Sequence, residues 1–264
     1  MSYLDEHYNK FFEEKRLDSR HGQVEYRLTV KRIKDVLNEI EKTGRKKREI
    51  RVADIGAGTG RYAIFLFEEG YDVTAVELVQ HNLGIMKQKC PSLNCYKGNA
   101  LKLKRIPDES CDVVLLLGPM YHLFSYEDKL KALSEAKRIC KCGGRIFVAY
   151  LMNEYGIITY GFKEKHILEV KSEGRLTDDY QCVSKEEHLY DYVRIETIDA
   201  LKNDASLKRQ VLFTPDGPAN YMRPFLNQLS EEEFEEFVSY VESISTRSDL
   251  MGAAAHTVDV LIKE

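Results

Sequence analysis

Residues 50–60 read Ile50-Arg51-Val52-Ala53-Asp54-Ile55-Gly56-Ala57-Gly58-Thr59-Gly60, a mainly apolar run that ends in an aspartate and three alternating glycines. Glycines spaced in this way let the backbone turn sharply and let a ligand approach it, because no Cβ stands in the way. A helix-like stretch begins directly after them, and the first turn of a helix offers N–H groups without intrahelical partners. Strand, glycine turn and helix in that order restrict the chain to a few α/β architectures.

The rest of the chain keeps that rhythm. Strand candidates are 50–55, 71–76, 93–96, 111–117 and 145–151, with helical stretches near 60–69, 79–89 and 126–141 between them. In the last of these, Leu130, Leu133, Ala136 and Cys140 share a face, and Gly143-Gly144 supply the expected stop. Such alternation implies right-handed crossovers and a doubly wound, mostly parallel sheet. The fourth candidate is apolar almost throughout, as befits a central strand buried on both faces. Residues 152–192 are Tyr-rich and mixed in charge, which predicts an insertion over one end of the sheet after the fifth strand. A helix over 195–202 and a strand over 207–213 follow. Ser230 and Glu233 form a capping box that opens a helix with Phe234, Phe237, Val238 and Val241 inward. A strand over 257–262 brings the expected total to seven. Near the amino terminus, Tyr26, Val30, Ile33, Leu37 and Ile40 recur at helical steps. The expected organisation is one α/β domain over 1–264: an N-terminal helical segment (1–44), a core (45–151), the insertion (152–192) and the C-terminal part of the sheet (193–264).

Charge and cysteine content narrow the function classes. Lys and Arg number 39 against 43 Asp and Glu, giving a net charge of −4, so the global basic excess of many nucleic-acid-binding proteins is missing and nucleic acid is not an expected partner. The longest strongly apolar run, Val113 to Leu117, falls far short of the ~18 residues of a membrane span. The first residues, Met1 to Glu6, show no signal-peptide core, so a cytoplasmic chain is expected. The six cysteines include no Cys-x-x-Cys pair, which predicts reduced thiols and no metal site. Arg45 to Arg48, with Lys42 and Arg51, reads as a solvated run at the amino edge of the sheet, away from the glycine turn.

The second strand candidate runs into Val76-Glu77, so a carboxylate reaches the edge beside the glycine turn, where a nucleotide's ribose diol is gripped in this class of site. A dinucleotide fingerprint, Gly-x-Gly-x-x-Gly, needs Gly or Ala at position 61, where this chain has Arg61. Asp-x-Gly-x-Gly-x-Gly followed by the later Glu instead resembles the class I S-adenosylmethionine-dependent methyltransferases, from about Ile50 to Leu151 and on through the last strand. The resemblance implies a Rossmann-like sheet, S-adenosylmethionine as cofactor and S-adenosylhomocysteine as product. It also implies that Asp54 and the Gly56, Gly58 and Gly60 backbone hold the methionine part, that Glu77 accepts both ribose hydroxyls, and that Leu78 covers the adenine. Gly98-Asn99-Ala100 stands where the family often has Gly-Asp-Ala, so Asn99, with Ala100, would meet the adenine amino group through a carbonyl instead of a carboxylate.

The fourth strand ends Leu117-Gly118-Pro119-Met120-Tyr121-His122-Leu123, similar to bacterial methyltransferases acting on small molecules. Tyr121 and His122 are candidates to shape the acceptor pocket, with His122 a candidate base because imidazole titrates near neutrality. In the resembling group the N-terminal segment folds over the cofactor as a lid; Arg20 would then meet the methionine carboxylate and Tyr26 flank it. Aromatics at Tyr8, Phe11, Phe12, Tyr155, Tyr160 and Phe162 are candidates to line an apolar acceptor pocket. The expected reaction is methyl transfer to an O, N or S atom of a small molecule by a monomer or homodimer. The alternatives are a tRNA or protein methyltransferase, or a cofactor-binding regulator without catalysis.

Overall fold

The computed structural model describes residues 18–264, so Tyr8, Phe11 and Phe12 lie outside the described residues. Seven strands form one sheet: β1 (Arg51–Ile55), β2 (Asp72–Glu77), β3 (Asn94–Lys97), β4 (Cys111–Leu116), β5 (Cys140–Leu151), β6 (Lys208–Phe213) and β7 (His256–Ile262). Their order is β3-β2-β1-β4-β5-β7-β6, with β7 antiparallel to both neighbours and the other pairs parallel. The doubly wound, mostly parallel seven-stranded sheet read from the sequence is therefore the observed one. Among the described residues, six longer helices accompany it: α1 (Arg20–Glu41), α2 (Arg61–Glu68), α3 (Gln80–Lys89), α4 (Tyr126–Ile139), α5 (Ile195–Asp204) and α6 (Glu231–Ile244). Among the described residues, no helix is long and apolar enough to cross a membrane.

The sheet separates two apolar layers. In β4 every residue is buried, with Val113 and Leu115 in one layer and Val114 and Leu116 in the other, as the period of two requires. Leu133 and Ala136 of α4 and Ile198 of α5 close the second layer, while Ile33, Val36 and Leu37 of α1 close the first. The amino-terminal half of α1 packs differently, with Val24 and Leu28 against Leu226 and against Phe234 and Val238 of α6. This described part of the expected lid is thus a helix fixed on the sheet and on α6, built by its apolar stripe and capped by Ser19, whose hydroxyl accepts from Gly22 N.

One sequence expectation fails locally. Gly143-Gly144 do not stop a helix: α4 ends at Ile139, and the glycines lie inside β5. The β4–β5 register jumps there from Cys111↔Cys140 to Val113↔Arg145, and Gly143 takes a φ of +75°. A Cβ on Gly144 would meet Cys140 Sγ at 2.6 Å and two backbone oxygens at 2.9 Å, so the pair makes a bulge that only glycine fits.

The insertion folds as short helical turns, Asn153–Gly156, Ile157–Lys163 and Ile167–Ser172, beside the carboxyl end of β4. It is tied down by polar contacts: Asp191 N donates to Tyr121 O (2.8 Å), and buried Lys129 of α4 pairs with Asp191 (2.7 Å) and donates to the Leu123 carbonyl.

Candidate cofactor and acceptor site

The carboxyl ends of β1, β2 and β4 converge on one groove. Parallel strands place all their carboxyl ends on the same edge, and the crevice opens where the order reverses, between β1 and β4. Its floor is the turn from Ile55 to Arg61. Gly56 and Ala57 both donate to Val76 O (2.7 and 3.1 Å), which folds the turn back over β2. Gly56 has a φ of +72°, and a Cβ there would strike the Pro119 ring at 2.7 Å. Gly58, with a φ of +57°, faces open space. The first glycine therefore permits close packing and the second keeps the groove clear.

Two lobes of the groove meet at Gly56, Gly58, Gly118 and Tyr121. The first lobe is walled by Asp54, Leu117 and His256, together with Glu25 and Thr29 of α1 and Tyr62 of α2. Asp54 is 2% exposed; its carboxylate accepts from Ala63 N in the first turn of α2, and its Oδ2 is a buried atom with no hydrogen-bond partner among the described residues. Burial, reinforced by the Glu77 charge, pushes its pKa up to about 7.

The second lobe is walled by Glu77, Leu78, Val79, Asn82, Pro119, His122 and Leu123. Glu77 Oε2 accepts from Gly58 N and Oε1 from Val79 N, both at 2.7 Å, and the Asn82 side chain also hydrogen-bonds it. Burial raises the Glu77 pKa, while these donors work against the shift. Leu78 stays 42% exposed, an apolar side chain presented to the groove.

The structure thus brings together Asp54, Gly56, Gly58, Glu77, Leu78, Leu117, Tyr121 and His122. Gly60 adopts a φ of +90° and serves as the N-cap of α2. Tyr26 stands one layer back, its ring 5.4 Å from Tyr62 and under the Arg61 guanidinium. His122 is anchored by an Nδ1 contact to Leu189 O (2.9 Å) and lies 5.3 Å from the Tyr190 ring. The carbonyl can only accept, so Nδ1 donates.

Three expected positions fall elsewhere. Arg20 points away from the groove: it donates to the carbonyls of Leu226, Leu229 and Ser230 and covers the Phe234 ring, tying α1 to the start of α6. Asn99 is exposed, and its Oδ1 accepts from Leu101 N (2.9 Å) to close a turn. Ala100 packs into the apolar layer beside Val76 and Ile55. Conversely, Glu25, Thr29, Asn82, Asp216 and His256 were not singled out by the sequence as site residues.

A family model described as a methyltransferase domain matches residues 53–148, which span the glycine turn, Glu77 and β4. Over those residues the chain is similar to methyltransferase domains. A glycine/sarcosine N-methyltransferase of Aphanothece halophytica is 33% identical over 139 residues, 49% of this chain and 52% of that protein, so the chain spans about half the length of this relative. Among solved structures, an S-adenosylmethionine-dependent methyltransferase from Methanosarcina mazei shares the fold at 12% identity, with a TM-score of 0.56 over 85% of this chain and 96% of the other. A geranyl diphosphate C-methyltransferase from Streptomyces coelicolor, solved with S-adenosylhomocysteine, shares it at 13% identity, TM-score 0.53, over 88% and 79%.

Proposed function

We propose that the protein transfers a methyl group from S-adenosylmethionine to an O, N or S atom of a small-molecule acceptor. The observation that carries this is the Asp54 Oδ2 atom, a buried acceptor without a donor in a groove that Glu77 shares. A buried polar atom without a partner costs about 1–3 kcal/mol, so the site is built for a ligand that brings a donor. The methionine ammonium group is such a donor. Glu77 has two oxygens with lone-pair capacity beyond its backbone partners and suits a vicinal diol. Leu78 and the Pro119 ring offer apolar surface for a base, and the open space at Gly58 leaves room for the chain between the two ends.

Bound there, S-adenosylmethionine supplies an electrophilic methyl group on its sulfonium. The residues do the positioning and exclude water, the larger share of the work when the donor is already activated. Tyr121 touches both lobes and Tyr190 of the insertion lies 6.0 Å from it, so the acceptor enters between the insertion and the β4 end. The insertion carries its own cavity, lined by Tyr160, Tyr190, Tyr192, Leu176 and Val183, which supports an acceptor with an apolar part.

Thermal unfolding with added S-adenosylhomocysteine or NAD tests the reading. The melting temperature rises with S-adenosylhomocysteine and not with NAD. A response to NAD alone overturns it. Label transfer from methyl-tritiated S-adenosylmethionine into pooled metabolites then identifies the acceptor class.

A further inference from the structure

The cavity of the insertion encloses about 420 Å³, and every described residue that lines it falls between Gly156 and Tyr192. That volume lies inside the range of small-molecule sites, about 300–1,000 Å³. Two uncommon backbone features frame it. Residues Ile157–Lys163 form a π-helix, a conformation found mostly at functional sites, and bring Ile157, Tyr160 and Gly161 to the wall. Leu189, 8% exposed, takes a φ of +67° and a ψ of −43°, and Tyr190 N donates to His188 O (2.8 Å) across it. Such a three-residue turn is strained by about 1–3 kcal/mol and persists only where its surroundings dictate it, typically around ligand sites.

The polar groups of the cavity are few. Arg175 has its backbone fixed on both sides, donating to Val170 O and accepting from Val183 N, both at 2.9 Å. Its guanidinium carbon lies 5.9 Å from the centre of the Tyr160 ring, which in turn stacks on His166 at 4.3 Å. Its ion-pair partner among the described residues is the half-exposed Glu173 (3.2 Å), a contact worth only about 0–1 kcal/mol in water. His188 Nδ1 accepts from Lys185 N (3.0 Å), so the proton sits on Nε2. Burial, then the Arg175 charge, holds the His188 pKa below the usual histidine range, so the ring is a neutral donor. Burial pushes the Cys182 thiol up to about 11 and keeps it uncharged. Glu187, the carboxylate among the described lining residues, is exposed.

We propose that this cavity recognises the methyl acceptor and that the acceptor is a small carboxylic acid. Its apolar or aromatic body sits among Tyr160, Leu176 and Tyr192, and its carboxylate is held by Arg175 and His188. The proposal rests on the methyl-transfer reading and names the substrate class. An arginine fork suits a carboxylate, and an acid brought into the cavity meets Arg175 with less water between them than the solvated Glu173 does. The cavity adjoins the groove at Tyr190, which lines it and whose ring lies 6.0 Å from that of Tyr121. An acceptor anchored by its carboxylate in the insertion thus extends its attacking atom past Tyr190 toward the methyl group.

The probes are 2-naphthylacetate and its neutral counterpart 2-naphthylacetamide, titrated without cofactor into the full chain with labelled Ile, Leu and Val methyl groups. Methyl NMR shifts are expected at Ile157, Val170, Leu176, Val183 and Leu189, and the acid binds roughly tenfold tighter than the amide. Arg175→Gln abolishes that preference and leaves the amide within about twofold, which shows the cavity still folded. Equal affinity of acid and amide in the wild type, a preference that survives in Arg175→Gln, or no shift at these methyl groups overturns the proposal. In the tritium assay the label enters the acidic fraction of the metabolite pool, and Arg175→Gln raises KM for it roughly tenfold with little change in kcat. Label confined to neutral or basic compounds also overturns it. Naphthylacetate binding by a wild type that does not bind S-adenosylhomocysteine strikes the methyl-transfer reading instead, so the two ideas fail separately.

Discussion

Two aspartates on neighbouring central strands meet opposite fates. Asp112, near the amino end of β4, is 5% exposed and surrounded by donors: both terminal nitrogens of Arg45 (2.5 and 2.9 Å), Lys141 Nζ (2.9 Å) and Arg51 N (2.8 Å). Asp54, near the carboxyl end of β1, is 2% exposed and has one oxygen with no partner among the described residues. Burial raises both pKa values, but at Asp112 the Arg45 and Lys141 bonds win and hold it below the usual carboxylate range, whereas Asp54 rises to about 7. The amino edge is electrostatically finished; the carboxyl edge is left incomplete. A buried polar group without a partner invites an explanation, and the proposed function supplies one: a donor brought by the ligand.

The largest effect separating the two edges is on stability. Asp112→Ala strands the Arg45 and Lys141 charges, and because both are about a third exposed the loss falls near the low end for a broken buried pair, about 3 kcal/mol. Denaturant midpoints check this, with S-adenosylhomocysteine affinity of the folded variant unchanged. Asp54→Asn does the reverse. It leaves stability at neutral pH equal or higher and weakens S-adenosylhomocysteine by roughly 1.5–3 kcal/mol, the range for a hydrogen bond to a charged group. Equal loss of stability in the two variants would erase the contrast.

The pH dependences also have opposite signs. The Asp54 pKa is higher folded than unfolded, so its contribution is fully present below about 4 and is lost as pH rises toward about 7. The Asp112 pKa is depressed, so its contribution is present above its unfolded value near 3.8 and is lost as pH falls through the lower folded value. Unfolding free energies from pH 3 to 8 for wild type, Asp54→Asn and Asp112→Asn separate the two windows. Saturating S-adenosylhomocysteine should flatten the upper window, because its ammonium favours the charged form of Asp54.

These contrasts show what the sequence could and could not disclose. The glycine turn and the place of Glu77 at the groove were legible because both are set locally, by φ angles and by the last residue of a strand. The seven strands were legible because short apolar or alternating runs recur between helical stretches and turn residues. Arg20 was misassigned because its partners, Leu226 to Ser230, lie some two hundred residues on and meet α1 only through the fold of α6. His256 carried no sequence signal because Asp216 and Glu25 reach it from a loop and a helix that no local pattern connects. Gly143-Gly144 suited a helix stop and a bulge equally, and only the β4–β5 register distinguishes them. The smallest predicted effect follows from the first correction. Arg20→Ala should cost about 1 kcal/mol of stability through its lost carbonyl bonds and leave S-adenosylhomocysteine affinity within twofold.

The central claim is that the incomplete carboxyl edge is a cofactor site, and Glu77 tests it most directly. Isothermal titration of S-adenosylhomocysteine into the wild type and Glu77→Ala, both checked for a cooperative unfolding transition, reads the affinity that this carboxylate supplies. The account predicts one site per chain in the wild type and a loss of at least tenfold in the variant, from roughly 1.5–3 kcal/mol per charge-assisted bond. Equal affinity in the two proteins, or no binding to the wild type, would contradict it.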